Sequence, residues 1–285
     1  MTQQPDPETI RRQQKEEWNR VAPGWEKHDG RLRAATEPVT QRLLELADVR
    51  PGKRVLDVAS GTGEPGLPAA HAVGPEGSVL LTDLAEEMLE AARRKAREQG
   101  LANVEFRLAG GEDLDLPENS FDAALCRWGL MFMPEPGRCL AGVHRALRPG
   151  GRFAVAVWGP PELNPFVAIP MGVLRKYVDV PPPQPGAPGI FAFADRGRLE
   201  SVYAQAGFRD VHVEELEIAM AAFDSGYEFV DYILDIAGPA ATLFARVPPG
   251  QQEQARREIA SAAGGGDPDG PVALAGRPVL AAGAK

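Results

Sequence analysis

The chain is poor in the residues that staple or metallate proteins: its 285 residues include two cysteines, Cys126 and Cys139, and four histidines. Neither cysteine sits in a Cys-x-x-Cys pair or has a histidine at metal-ligand spacing, and no His-Glu-x-x-His occurs. Disulfide frameworks and metal sites are therefore not expected. A chain of this length buries enough apolar surface to fold without them, and two buried thiols suit a reducing compartment. Basic excess is also lacking, since 31 Lys and Arg stand against 40 Asp and Glu, for a net charge of −9. A nucleic-acid binder needs a cationic stripe to neutralise phosphates. The strongest basic run, Arg93-Arg94-Lys95-Ala96-Arg97, lies on an expected helix whose other face is apolar, so it reads as a solvated flank. No run of about 18 apolar residues occurs, and Met1 to Glu17 is polar, without the apolar core of a secretion signal. The expectation is a cytoplasmic protein with neither stable membrane insertion nor a nucleic-acid partner.

What the chain does contain is alternation. From Arg54 to Trp158, short apolar runs alternate with amphipathic stretches, which is the pattern of βαβ units on a mainly parallel sheet. Strands are expected at Val55–Ala59, Val79–Thr82, Val104–Leu108, Phe121–Cys126 and Phe153–Trp158. Ala85, Met88, Leu89, Ala92 and Ala96 recur at helical spacing, with Gly100 as a stop. Arg148-Pro149-Gly150-Gly151 reads as a turn after a helix. Val178 to Gly189 carries five prolines and two glycines, a stiff irregular connector. Beyond it, Asp195 reads as a helix cap, Val211–Ile218 as a strand, Tyr227–Ile236 and Gln251–Ala262 as helices, and Pro278–Ala282 as a last strand.

The segment richest in chemistry is Val55-Leu56-Asp57-Val58-Ala59-Ser60-Gly61-Thr62-Gly63-Glu64-Pro65-Gly66. A strand enters a glycine-bearing turn that opens a helix, whose N-terminus offers free N–H donors. Gly61-x-Gly63-x-x-Gly66 also matches the dinucleotide fingerprint, so an NAD-dependent oxidoreductase stays open. Charge argues for a different ligand: Asp57 and Glu64 flank the loop and repel a pyrophosphate, whereas the ammonium and sulfonium of S-adenosylmethionine are attracted, directly or through water. Asp83 ends the second strand, where a carboxylate accepts both ribose hydroxyls of either adenosine cofactor, or caps the next helix.

At these residues the chain resembles the class I S-adenosylmethionine-dependent methyltransferases. Val55 to Gly63 resembles their first motif, and Leu81-Thr82-Asp83-Leu84-Ala85-Glu86-Glu87-Met88-Leu89 their second. Leu116-Pro117-Glu118-Asn119-Ser120-Phe121-Asp122 is similar to the approach to their fourth strand, and Leu147-Arg148-Pro149-Gly150-Gly151 to the turn before their fifth. The subgroup resembled most is that of the ubiquinone and menaquinone biosynthesis methyltransferases, over roughly Trp18 to Phe223. The resemblance implies an α/β, Rossmann-like fold: a seven-stranded, mostly parallel sheet with helices on both faces, an antiparallel last hairpin and helical cap insertions. It implies one methyltransferase domain over 1–285. A helical arm fills 1–50, the cofactor core 51–158, the proline-rich insertion 159–194, and the rest of the core 195–285, with a helical insertion at about 226–263.

The resemblance also assigns residues. Asp57, Ala59, Gly61, Thr62 and Gly63 of the first motif, and Asp83, Leu84 and Met88 of the second, are expected at S-adenosylmethionine. The subgroup has Asp-Ala-Glu after the third strand, where the Asp meets the adenine amino group; here it reads Gly110-Gly111-Glu112. The backbone N–H of Gly111 or Glu112 is then the expected adenine contact, with Glu112 or Asp113 as the replacement carboxylate. After the fourth strand, Arg127 is expected at the cofactor and Trp128, Met131 and Phe132 at a small-molecule acceptor, since ligands sit at the carboxyl ends of the strands. In Trp18-Asn19-Arg20-Val21-Ala22-Pro23-Gly24-Trp25, Trp25 is expected to shield the sulfonium, with packing of the helix as its other role. Methyl transfer needs alignment and a dry site, and a base only where the acceptor must lose a proton; His28 is the histidine to test. Phe166, Met171, Tyr177, Phe191, Phe193, Phe229, Tyr232 and Leu234 make the cap regions apolar, suiting an aromatic or quinone-like acceptor. A non-catalytic S-adenosylmethionine-binding module is the third open reading.

Overall fold

The computed structural model describes residues 6–180 and 186–285. Two helices come first, α1 (Pro7–Lys27) and α2 (Asp29–Leu46). The Asp6 carboxylate accepts the Thr9 N–H at 3.0 Å, which caps α1. The core follows as β1 (Arg54–Val58), α3 (Gly66–Val73), β2 (Ser78–Asp83), α4 (Glu86–Glu98), β3 (Val104–Leu108), β4 (Phe121–Arg127), α5 (Pro136–Ala146) and β5 (Leu147–Trp158). After it come α6 (Pro165–Leu174), α7 (Arg196–Gln205), β6 (Arg209–Glu215), β7 (Ile218–Phe223) and α8 (Gly226–Ile236). The chain finishes with α9 (Gly238–Arg246), α10 (Gln252–Ala263), β8 (Val272–Gly276) and β9 (Pro278–Ala284).

Seven strands form one sheet in the order β3-β2-β1-β4-β5-β9-β6. β1 to β5 pair in parallel, and β9 runs antiparallel between β5 and β6. The central strands are mostly apolar, with Val55, Leu56 and Val58 of β1 and Phe153 to Val157 of β5 buried, as strands covered on both faces must be. Right-handed crossovers send α3 and α4 to one face and α5 to the other, because the order reverses between β1 and β4. That reversal leaves a crevice at the carboxyl ends of these two strands. On α4, Met88, Leu89, Ala92 and Ala96 are buried, while Arg93 and Arg94 pair with Glu90 and Glu26. The basic run is an ion-paired outer flank.

The structure differs from the sequence reading in three places. The strand expected over Val211–Ile218 is divided: β6 ends at Glu215, and Ile218 begins β7, which leaves the main sheet to pair with β8. Ile218, Met220 and Phe223 are buried there, so β7 keeps an apolar face of its own. Arg148 to Gly151 is not a simple turn but a bulged start to β5. The pairing passes from Phe121 opposite Leu147 to Ala123 opposite Arg152, and Gly150 takes φ 80° in the excess segment. The insertion at 159–194 holds a helix, α6, started by Pro165 at its first position. The middle of the proline-rich connector, 181–185, lies outside the described residues.

Candidate active site

The turn between β1 and α3 is built on backbone conformations that few side chains accept. Gly61 takes φ 54° and Gly63 φ 106°. A Cβ on Gly63 would lie 2.7 Å from Leu67 Cδ1, so this glycine allows the turn to close onto α3. Asp83 ties the turn to the end of β2: its Oδ2 accepts the Gly61 N–H at 2.8 Å and its Oδ1 the Ala85 N–H at 2.9 Å. Asp83 therefore braces the entry to α4, whose cap position belongs to Ala85 rather than to Asp83 itself. Ala59 and Trp128, at the ends of β1 and β4, both carry positive φ, 55° and 58°. A Cβ on Gly129 would fall 2.4 Å from Ala59 Cβ, so the two strand ends touch at the crevice.

A cavity opens there. Its wall takes Ala59, Ser60, Gly61, Thr62 and Glu64 from the turn, and Asp83, Leu84 and Met88 from β2 and α4. Ala109 to Glu112 come from the end of β3, and Arg127, Trp128, Gly129, Met131, Phe132 and Met133 from beyond β4. The cofactor and acceptor candidates named from sequence thus meet in one place, with two exceptions. Gly63 packs behind the turn, and Asp57 lies beneath it, fully buried and away from the cavity. Direct contact between the Asp57 carboxylate and a ligand is therefore excluded. Among the described residues neither Asp57 oxygen has a hydrogen-bond partner. Burial pushes its carboxyl well above the aspartate range, opposed by the nearby Arg127 guanidinium.

Glu112 is engaged elsewhere. Its carboxylate takes Arg11 Nε at 2.8 Å and the Glu135 N–H at 2.5 Å, which ties α1 to the start of α5. Asp113, the other proposed replacement, lies outside the cavity and pairs with Arg138 at 2.7 Å. A Cβ on Gly110 would meet Asp113 Oδ2 at 4.0 Å, so the carboxylate beside this position is the one held by Arg138.

The other wall comes from the arm and the cap. Arg11, Gln14, Trp18 and Trp25 of α1 cover the cavity. Gln14 Nε2 donates to the Phe132 carbonyl, and Trp25 Nε1 donates to the Ile236 carbonyl at 2.7 Å. Trp25 thus both lines the cavity and fixes the arm. Leu32, Trp158, Phe166, Val167, Ile190, Met220, Ile233, Ile236, Ala237 and Pro239 complete an apolar half. Trp128 and Trp158 stack within it, ring centres 4.8 Å apart at 14°. Trp158 was readable as the carboxyl end of β5. The others reach the site only through folding of the arm, for Leu32, and of the regions beyond β5, for the rest, which no local pattern records. Of the cap aromatics singled out in the sequence, Phe166 lines the cavity; Phe193, Phe229 and Tyr232 are core. His28 is not at the site either: its Nε2 meets Asp235 Oδ2 at 2.9 Å and its ring packs edge-on against Tyr232. Among the described residues the lining holds no histidine, lysine, cysteine or tyrosine.

Comparison with known proteins places this architecture. A methyltransferase-domain family model matches residues 50–161. The ubiquinone/menaquinone biosynthesis C-methyltransferase UbiE of Shewanella sp. (strain W3-18-1) is 32% identical over 200 residues, spanning 66% of this chain and 79% of that protein. UbiE of Yersinia pestis (strain Pestoides F) is 32% identical over 196 residues, 65% of this chain and 78% of its own. Two solved structures share the fold. The [4+2]-cyclase SpnF superposes with a TM-score of 0.61 at 21% identity, covering 96% of both chains. YcgJ of Bacillus subtilis does so with 0.55 at 19%, covering 87% of this chain and 98% of that one.

The chain belongs to the class I S-adenosylmethionine-dependent methyltransferases, and within them it is similar to the UbiE C-methyltransferases. It is an enzyme that methylates a small-molecule acceptor, and its cofactor is S-adenosylmethionine. The oxidoreductase and binding-module readings are not favoured. The site's donor set fits that cofactor. Glu64, Asp83 and Glu112 against Arg11 and Arg127 leave the lining one negative charge in excess, matching a ligand with two cationic centres and one carboxylate. Asp83 spends two of its roughly four lone-pair positions on Gly61 and Ala85, and the buried Ser60 Oγ has no partner among the described residues. No helix among the described residues is long and apolar enough to cross a membrane.

Proposed function

We propose that the acceptor is a planar aromatic, quinone-like molecule and that it is methylated on carbon. The observation that carries this is the stacked Trp128–Trp158 wall beside the glycine turn, in an otherwise aliphatic half-cavity. Flat rings present the matching surface for a flat ligand. The relatives' names point to the same chemistry, since both are C-methyltransferases of quinone biosynthesis. When bound, S-adenosylmethionine supplies an activated methyl group on a sulfonium. The residues proposed to hold it are the turn from Ala59 to Thr62, Asp83 on the ribose hydroxyls, Leu84 and Met88 at the nucleoside, and the Gly111 and Glu112 backbone at the adenine edge. Trp18 and Trp25 exclude water from above, and Trp128, Met131 and Phe132 align the acceptor. Asp83 is tied to the Gly61 and Ala85 N–H groups and Glu112 to Arg11 and the Glu135 N–H, so the contribution proposed for the protein is alignment and desolvation rather than proton abstraction.

In this reading the chain works as one unit, with arm and cap closing a single cavity over the core. The acidic net charge supports an enzyme without a nucleic-acid partner, and the compartment proposed for it is the cytoplasm. The test is S-adenosylhomocysteine release with a panel of quinols, phenols and amines, and products mapped by mass spectrometry. C-methylated quinol-type products are expected; turnover confined to aliphatic amines would refute the proposal.

A further inference from the structure

The seven-stranded sheet has two outer strands, β3 and β6, and they differ. β3 runs beside β2 without a bulge, from Val79 opposite Val104 to Asp83 opposite Leu108. The Asn103 carbonyl accepts the Val79 N–H, and the Ala109 N–H donates to the Asp83 carbonyl, both at 2.9 Å. In a parallel ladder, alternate residues turn both main-chain groups to the same neighbour. Glu105 and Arg107 therefore turn theirs to β2, while Val104, Phe106 and Leu108 turn theirs outward. Leu108 is 44% exposed, the most of any large apolar side chain among the described residues. Glu105 and Arg107 are exposed as well. Arg107 Nη1 donates to the Asp115 carbonyl at 2.9 Å, and neither charge belongs to an ion pair among the described residues.

An open row of main-chain groups is a template for another strand, and the side chains of β3 say which strand fits. Laid antiparallel on a copy of itself about Phe106, Val104 meets Leu108, Phe106 meets Phe106, and Glu105 meets Arg107. The outward groups then fall in the hydrogen-bonded pairs and the opposite charges in the closer, non-bonded pairs. β6 fails the same test: about His212, Asp210 meets Glu214 as a like charge, and the register against β9 shifts between Arg209 and His212. Helix α4, which packs on both β2 and β3, adds a second match. Arg93 lies 5.5 Å from the Phe106 ring centre, which marks the flank of α4 nearest the open edge. Strand spacing puts the α4 helices of two paired copies about 10 Å apart, a helix-packing distance. The two-fold axis runs them antiparallel and brings Glu90 toward Arg97 of the second copy. We propose that β3 is a homodimer seam, in which two copies pair antiparallel through Val104–Leu108 and pack their α4 helices across the axis. The contact is isologous, so it closes at two copies. It ends at Leu108, just before the cavity wall begins at Ala109. One strand and one helix flank make a small interface, so the dimer is weak and depends on concentration.

Sedimentation velocity on the full chain, from about 1 to 300 µM, spans the range in which an interface of this size associates. Wild-type protein is expected to pass from monomer to dimer across that range and to go no further. Glu105→Arg and Arg107→Glu each set like charges opposite one another twice, once on either side of the axis. Each is expected to weaken the dimer on the order of tenfold or more. The double variant Glu105→Arg/Arg107→Glu restores the opposite pairs and is expected to return the dimer to within about threefold of wild type, as coupled charges do. Both positions are exposed, so thermal melts should show all three variants folded; the rescue by the double variant separates pairing from damage to β3 in any case. A wild-type chain that stays monomeric throughout would overturn the proposal and leave the edge to a different partner. Dimers indifferent to both single substitutions would overturn it by placing the contact on another face, as would single losses that the double variant fails to rescue. Growth beyond two copies would exclude a closed seam.

Discussion

Asp83→Asn isolates the role of one carboxylate at nearly constant shape. In the wild-type chain both oxygens accept backbone N–H groups, at 2.8 Å from Gly61 and 2.9 Å from Ala85. Asn retains one acceptor but turns an NH2 toward the other donor, leaving that N–H unpaired in a site where Asp83 is 6% exposed. The cost is about 1–3 kcal/mol, a fall in Tm of roughly 2–10 °C for a chain of this size. Ligand binding loses more than geometry. The two lone-pair positions left for a ribose diol are reduced in charge and number, and S-adenosylhomocysteine is expected to bind at least about 30-fold more weakly. The variant should also lose a pH signature. Burial raises the Asp83 carboxyl above the ordinary 3.8, against the N–H bonds from Ala85 and Gly61. The folded state therefore holds this proton more tightly than the unfolded chain. The resulting stability is present below pH 3.8 and is lost as pH rises through the elevated value; Asp83→Asn abolishes that contribution. Calorimetry and thermal melts over pH measure both effects. An S-adenosylhomocysteine affinity within threefold of wild type, alongside the lowered Tm, would reduce Asp83 to a brace for the turn and refute its place at the ribose.

Two further outcomes follow from packing and burial. A Cβ on Gly24 would lie 2.0 Å from the Asp235 carbonyl oxygen, so Gly24→Ala must push α1 away from α8, at about 1–3 kcal/mol. Because Trp18 and Trp25 ride on α1, stopped-flow release of S-adenosylhomocysteine should accelerate; an unchanged release rate would show that the arm does not cover the ligand. Burial pushes the Cys126 thiol up to about 12 and the Cys139 thiol well above its ordinary value. Neither should react with iodoacetamide in the native protein at neutral pH, and both should react in urea; mass spectrometry of rapid native labelling decides.

The βαβ core was legible because its signals are local. The alternation Val104-Glu105-Phe106-Arg107-Leu108 is the period of an edge strand with one face toward solvent, and β3 has those same bounds. The turn from Ala59 to Gly66 was legible because few residue types accept its backbone, and Asp83 because strand polarity puts it at the ligand end. Periodicity misread Val211–Ile218, since an apolar alternation does not say which of two sheets it will join.

By itself, then, the sequence determined the sheet, the turn and the class of cofactor, each of which depends on contacts between near neighbours or on a strand's direction. Only the tertiary structure decided what the charges around that turn do. Asp57, open to a ligand on paper, is sealed beneath the turn, and Glu112 is held by Arg11, 101 positions away. Arg127 is aimed by Thr36 and Thr40 of a helix about 90 residues earlier, a separation of 91 and 87 positions. Burial and pairing set what a charged group does in a low-dielectric site, and both are properties of distant segments brought together.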